Sequence, residues 1–523
     1  MATERYFDVV VVGGGAAGLG GALTLARARR SVLVVDAGEP RNAPAAGVHG
    51  YLGHDGLPPA ELLARGRAEV RGAGGEIVRG EVVGLRRRDT GDFEVSLADG
   101  SSVSAARLLV ATGLVDELPE VPGLARRWGA DVLHCPYCHG WEVRDEPIGV
   151  LATGPMAVHQ ALLWRQWSED VTLLEHTAPG PDDAERERLA ARGVAVVPGE
   201  VTGVEVSGDR LSGVRLADGR VVPCRALVVA PRFTARAEVL AGLGLEPVAQ
   251  ERGGVVLGSG VEPGAAGATG VPGVRVAGNV SDIVGQVVGS VAAGVQAAAA
   301  LNAELVEADT ERAVAAQRAA VRAYWEDRYG GGDRIWTGDP NATLVREVAE
   351  LVPGSALDLG CGEGGDAVWL AARGWRVTAV DVSENAVARV AGAAAEAGVA
   401  GRVEGQRHDL AESFPEGEFD LVSAHFLHTW GGMPRERILR RAAEAVAPGG
   451  VLLVVGHQGP PPWDPEAHAE VHLPTAEEVL GSLELAPGRW EVLRCGPHER
   501  EQRAPDGAVV TRTDNAVKVR RVR

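Results

Sequence analysis

The apolar residues of this chain gather into short, nearly unbroken runs. Val9 to Val12, Val32 to Val35, Leu108 to Val110, Ile148 to Leu151 and Val171 to Leu174 form one series. Ala356 to Leu359, Val377 to Val380, Phe419 to Val422 and Val451 to Val455 form a second. Runs of this length bounded by turn residues predict buried strands. Alanine-rich stretches of helical composition follow several of them, as in the segment leading to Arg29, and strands alternating with helices predict an α/β protein. A charged, alanine-rich stretch at about 303 to 322 has few glycines or prolines and predicts a semi-rigid helical linker between the two series.

Three of the strand-to-helix junctions are candidate cofactor turns. The first, Gly13-Gly14-Gly15-Ala16-Ala17-Gly18, follows a strand, opens a helix and is completed by Asp36 after the next strand. This is the dinucleotide fingerprint in its required context: Gly13 permits the tight turn, Gly15 lets the backbone approach a pyrophosphate, Gly18 allows close helix packing, and Asp36 accepts from a ribose hydroxyl. The second, Ala152-Thr153-Gly154-Pro155-Met156-Ala157, is degenerate, with a proline in the turn. Glu175, after its next strand, would repel the 2′-phosphate of NADPH and suit NADH at best, and no arginine follows closely. In the third, Asp358-Leu359-Gly360-Cys361-Gly362-Glu363-Gly364-Gly365, the glycines again admit a ligand against the backbone, and Asp381 stands where it can accept from a ribose diol.

The length of 523 residues predicts about three domains. No apolar run approaches the ~18 residues of a membrane helix, and Met1 to Phe7 is charged and leads directly into a strand, so a cytoplasmic protein without a membrane partner is expected. A net charge of −19 with dispersed arginines argues against a nucleic-acid partner, and lysine occurs once, at Lys518. Five cysteines cannot form a disulfide framework over this length.

Two of those cysteines carry the main chemical signal, in His134-Cys135-Pro136-Tyr137-Cys138-His139-Gly140-Trp141-Glu142. A CxxC can close a small disulfide ring, and an adjacent histidine can move the protons that opening and closing require. The competing reading is half of a zinc site, but Cys224, Cys361 and Cys495 are isolated, so no metal is expected.

With the turn Ala111-Thr112-Gly113 and the segment Val276-Ala277-Gly278-Asn279-Val280-Ser281-Asp282, residues 5 to about 303 resemble the low-molecular-weight thioredoxin reductases. The resemblance implies bound FAD, with Thr112, Gly113, Gly278, Asn279 and Asp282 joining Gly13, Gly15, Gly18 and Asp36 in holding it. It also implies a split FAD domain (1–117 and 245–305), an inserted NAD(P)-like domain (118–244) carrying the CxxC, and a homodimer. The family usually has an aspartate where His139 stands. CPYCHGWE, with the damaged nucleotide turn, looks closer to the dithiol oxidases that close disulfides in microbial natural products such as gliotoxin and holomycin, in which the flavin passes electrons to oxygen. By that likeness Cys138 faces the flavin, Cys135 exchanges with substrate, and His139 is the acid/base.

The DLGCGEG turn, Asp381, Asp409 after a further strand, Phe419 to Val422 and the Ala447-Pro448-Gly449-Gly450 turn resemble class I S-adenosylmethionine-dependent methyltransferases over about 322 to 500. The likeness implies a Rossmann-like domain (323–523, after a linker at 306–322) in which Asp358, Gly360, Gly362, Asp381 and Asp409 hold the cofactor. Cys361 reads as a small filler, His425 and His428 as candidate bases beside a methyl acceptor, and Trp325 and Trp336 as a cover over the cofactor.

The expectation is a bifunctional enzyme: an FAD-dependent dithiol oxidase fused to a methyltransferase, both masking the sulfur of a small thiol. The alternatives are an NAD(P)H-dependent thioredoxin reductase, acting on a thioredoxin-like protein and joined to an unrelated methyltransferase, and a flavin-bound redox sensor.

Overall fold

Two compact units divide the chain, Met1–Asp309 and Thr310–Arg523. The structure is a computed structural model and describes residues 5–332, 334–428, 432–464 and 472–522, so Met1 to Glu4 of the charged N-terminus lie outside it.

In the first unit the strand Tyr6–Val12 lies parallel between Val32–Asp36 and Ser102–Val110, with Val9 opposite both Val32 and Arg107. Val9, Val10 and Val11 are fully buried because the sheet is covered on both faces, which is why this run shows no polar alternation. Glu76–Arg79 extends the sheet on one side, and Phe93–Leu97 and Val82–Arg87 on the other. Val274–Val276, distant in sequence, pairs parallel to Ser102–Val110 and brings Gly278 and Asn279 to the carboxyl end of that strand. A second sheet is wholly parallel, in the order Ala195–Val197, Val171–Leu174, Ile148–Leu151, Ala226–Val228, Val132–Leu133. Its last strand delivers the chain to Cys135.

The second unit is built on one seven-stranded sheet in the order Val403–Arg407, Arg376–Asp381, Ser355–Leu359, Phe419–His425, Val446–His457, Val509–Arg521, Trp490–Arg503. The first five strands are parallel, and Val509–Arg521 runs antiparallel to both of its neighbours, Val446–His457 and Trp490–Arg503. The expected turn at Ala447 to Gly450 lies inside the strand Val446–His457, as an irregularity in its register against Phe419–His425, with Gly449 at φ 86°. Lys518 on Val509–Arg521 donates to the backbone oxygen of Glu347 at 2.6 Å, and its ammonium lies 3.5 Å from the half-buried Glu347 carboxylate.

A helix of 44 residues, Val287–Gly330, runs without a break through the stretch read as a linker, and residues of both units belong to it. Among the described residues no helix is long and apolar enough to cross a membrane.

Candidate functional site

In the first unit the glycine turns converge on a cavity of about 1690 Å³. Gly13, Gly15, Asp36, Thr112, Gly113, Gly278, Asn279, Cys135, Cys138 and His139 all line it. A Cβ at Gly13 would sit 2.4 Å from the Ala111 oxygen, and φ is 109° there, so only glycine fits the turn. Gly15 and Gly113 face open space, with nothing within 4 Å of an added Cβ. Asp36 accepts from the Gly38 amide at 2.9 Å and lies 3.7 Å from Arg67. Thr112 donates to the Arg236 oxygen at 2.6 Å. Asn279 donates to the carbonyls of Asp282 and Gly285 at 2.8 and 2.9 Å and accepts from Arg41, whose guanidinium also grips Asp116 through two bonds.

Two expected residues are not in the wall. Gly18 is packed behind it, with the Gly13 oxygen 1.9 Å from where its Cβ would be, and Asp282 turns its carboxylate toward Gly285.

Cys135 and Cys138 form a disulfide at the start of the short helix Pro136–His139, with Cα atoms 5.3 Å apart. The amides of Cys138 and His139 both donate to the Cys135 oxygen at 3.2 Å. Burial holds His139 below its usual 6.5, with Glu142 opposing and His49 reinforcing the shift. His49 lies 3.5 Å from Glu142 and 3.5 Å from Asp55, two carboxylates that reach solvent. His134, also pushed down by burial, meets the Val229 oxygen at 3.2 Å and sits edge-on to Phe233. Tyr137 and Trp141 flank the disulfide, 64% and 66% exposed. Sequence reasoning missed His49 and Arg41, which come from an irregular loop that carries no local motif.

Beside the degenerate turn the cavity is only about 220 Å³, lined by Gly154, Pro155, Glu175 and the loop Pro179 to Pro181. Arg186, from the helix Asp183–Ala191, pairs with Glu175 at 3.2 Å, so the acid does have an arginine partner, one that sequence proximity does not reveal.

In the second unit Gly360 and Cys361 donate to the Val380 oxygen at 2.8 and 2.9 Å, and Asp381 accepts from the amides of Gly362 and Ser383 at 3.0 Å each. Burial raises the pKa of Asp381 despite those bonds. Asp358 is buried and its pKa is pushed up to about 7, first by burial and then by Asp366; one oxygen accepts from Ser423 at 3.0 Å and the other has no partner among the described residues. Asp409 accepts from the Ala411 amide at 3.0 Å. Tyr329 closes over the turn, its hydroxyl 3.1 Å from a Cβ added at Gly362, while Trp336 donates to that hydroxyl at 3.4 Å and Trp325 stacks on the ring at 5.7 Å. Cys361, its thiol pushed well above the usual 9.0 by burial, suits a filler. His425 is buried and bound to Asp366 at 2.7 Å, and Asn341 donates to the same oxygen at 2.6 Å.

Residues 7–298, more than half of the chain, match the pyridine nucleotide-disulphide oxidoreductase family. The chain belongs to that family. Residues 356–450 match a methyltransferase domain, so this is a thioredoxin reductase-like oxidoreductase fused to a methyltransferase. Thioredoxin reductase tcpT of Claviceps purpurea is 36% identical over 203 residues, 37% of this chain. The chain spans 62% of that relative's length and 49% of thioredoxin reductase aclD of Aspergillus oryzae. Thioredoxin reductase sirT of Leptosphaeria maculans is 30% identical over 59% of this chain and 98% of its own. The crystal structure of HlmI superposes with a TM-score of 0.57 at 47% identity, covering 61% of this chain and 98% of that one.

Membership of the family implies FAD and a pyridine nucleotide, and the methyltransferase domain implies S-adenosylmethionine. The oxidoreductase cavity fits FAD: it exceeds the about 300–1,000 Å³ usual for small ligands, and Gly15 and Gly113 leave backbone open to a pyrophosphate. The turn after Ser355–Leu359 fits S-adenosylmethionine, with left-handed glycines at Gly360 and Gly362 and an orphaned Asp358 oxygen beneath. The narrow space at Glu175 falls below the range for even a small ligand and does not fit a dinucleotide carrying a 2′-phosphate.

Proposed function

We propose that the first unit is an FAD-dependent oxidase of small dithiols that hands electrons to oxygen, and that the second S-methylates a small thiol. The observation that carries this reading is the Cys135–Cys138 disulfide in the wall of the large cavity, in a unit whose nicotinamide turn is narrow and acidic. On this reading the FAD domain comprises residues 1–117 and 245–305, the insert 118–244 and the methyltransferase 323–523. The protein works in the cytoplasm as a homodimer.

A substrate thiolate attacks the sulfur of Cys135, forming a mixed disulfide and releasing Cys138 as a thiolate. The second substrate thiol then attacks the mixed disulfide, so the product leaves as a cyclic disulfide and both cysteines are reduced. His139, neutral at pH 7, takes protons from the incoming thiols and returns them to the leaving thiolates. FAD held in this cavity would supply the acceptor for the electron pair of the dithiol on the Cys138 side and the route from there to oxygen, with hydrogen peroxide as the product. Gly13, Gly15, Asp36, Thr112, Gly113, Gly278 and Asn279 hold and orient it. Asp358, Gly360, Gly362, Asp381 and Asp409 play the same part for S-adenosylmethionine.

The names of tcpT and sirT favour a second reading, reduction of a thioredoxin-like protein by a pyridine nucleotide. Anaerobic flavin spectroscopy with NADPH, NADH and dithiothreitol in turn separates the two. Fast bleaching by dithiothreitol alone is expected, and equally fast bleaching by NADPH would restore the reductase.

A further inference from the structure

A second polar cluster in the methyltransferase unit is marked by none of its sequence motifs. His457 ends the strand Val446–His457, and its Nδ1 lies 2.9 Å from Oδ1 of Asp514 on the antiparallel neighbour. Asp514 is fully buried, and its other oxygen accepts from Nε of Arg500 at 2.5 Å. Burial opposes the charge on Asp514, yet His457 and Arg500 hold the carboxyl below its usual range. With Nδ1 donating to Asp514, the neutral ring carries its lone pair on Nε2, which makes no hydrogen bond among the described residues.

The ring stacks on two others, Phe426 at 4.3 Å and His428 at 5.4 Å between centroids. Phe426 has φ 50°, a left-handed conformation that costs a bulky residue about 1–3 kcal/mol. The turn at Phe426 brings Leu427 against the cofactor loop, 3.0 Å from a Cβ added at Gly360. His428 Nε2 accepts the His457 amide at 3.1 Å, so its own lone pair is engaged. Ser355–Leu359 and Val446–His457 both run parallel to Phe419–His425, which puts His457 and the cofactor loop at the same carboxyl edge, where open α/β sheets take their ligands. His425 is instead committed to Asp366.

We propose that His457 is the general base for methyl transfer, that Asp514 is its positioning residue, and that the acceptor is a thiol arriving protonated. This rests on the reading of the second unit as a thiol methyltransferase. The S–H proton passes to Nε2 of His457. The sulfur electron pair forms the new S–CH3 bond as the bond from that carbon to the sulfonium sulfur breaks, and the proton later leaves His457 for water.

Burial keeps His457 below its usual 6.5, Asp514 partly offsets this, and Arg512 and Arg500 add to the depression; His428 is the remaining titratable ring against it. The base is therefore neutral at pH 7. An alkyl thiol with a pKa of about 8.5 is only about 3% ionised at that pH, so a base that takes the proton as the S–CH3 bond forms opens a route for the protonated majority, a gain of up to about thirtyfold.

The test uses the full chain with S-adenosylmethionine and dithiothreitol between pH 6.5 and 9, joined to nitrogen-15 spectra of its histidines. His457→Gln is expected to methylate about thirtyfold more slowly at pH 7, to recover as the thiol ionises, and to bind S-adenosylmethionine as the wild type does. His457 itself should be neutral at pH 7 with its proton on Nδ1, and Asp514→Asn should disturb that tautomer. A charged His457 at pH 7, a deficit that does not change with pH, no deficit, or no transfer to dithiothreitol by a protein that binds S-adenosylmethionine overturns the proposal. Failure of the wild type to bind S-adenosylmethionine removes instead the methyltransferase reading beneath it.

Discussion

Cys138 and His139 stand side by side in sequence, yet different measurements separate their roles. Cys138→Ser is expected to abolish flavin reduction by dithiothreitol while leaving the protein yellow, since the cavity wall keeps its glycines; reduction that survives would show that Cys138 is not the flavin-side thiol. His139→Gln should slow the same step about a hundredfold or more. Because burial lowers the pKa of His139, the wild-type base is neutral from below pH 6.5 upward, so its activity should fall only as pH drops beneath that value. That acid limb should vanish in the variant. Gly18→Ala tests the packing instead: the new methyl would meet the Gly13 oxygen, and about 1–3 kcal/mol of stability should be lost in thermal unfolding. The residues easiest to read from sequence were those whose neighbours are local, such as the CxxC with His139 and the glycines followed by a strand and an acid. His49, Arg41, His457 and Asp514 were not legible, because each meets its partner across a loop or a neighbouring strand and leaves no spacing to recognise.

Among the elements, the central parallel strands such as Tyr6–Val12, Ser355–Leu359 and Phe419–His425 were legible because burial on both faces leaves an apolar run, whereas the edge parallel strands Glu76–Arg79 and Val403–Arg407, partly exposed, leave none. The two antiparallel strands Trp490–Arg503 and Val509–Arg521 were not, since they mix charged and apolar residues along their length. The helix Val287–Gly330 was legible in composition, but nothing in the residues around 306 or 322 breaks it, and the structure carries it straight through. The degenerate turn gives a prediction of its own. Without an arginine cluster to hold a 2′-phosphate, charge-assisted bonds worth about 1.5–3 kcal/mol each are missing, at least a tenfold loss in affinity. NADPH should therefore reduce the flavin poorly, and stopped-flow comparison with NADH and dithiothreitol measures the difference.

At the scale of the whole molecule, each unit carries its own sheet and core, so the fragment 323–523 is expected to fold and to bind S-adenosylmethionine in calorimetry. A fragment beginning at 335 lacks Tyr329 over Gly362 and Glu326, which accepts from the amides of Glu384 and Asn385. Its binding should be about tenfold weaker, the equivalent of one or two lost hydrogen bonds. One further consequence follows from Lys518. The chain has a single lysine ammonium, and it is bound to Glu347 where the helix Ala342–Val348 meets the strand Val509–Arg521. An amine-acylating reagent therefore finds one lysine side chain in this sequence, 14% exposed and held back by its bonds to Glu347. Its rate of labelling, followed on the one peptide that carries Lys518, becomes a clock for local opening of the methyltransferase sheet, in a molecule whose other 51 lysine-or-arginine side chains are all arginine.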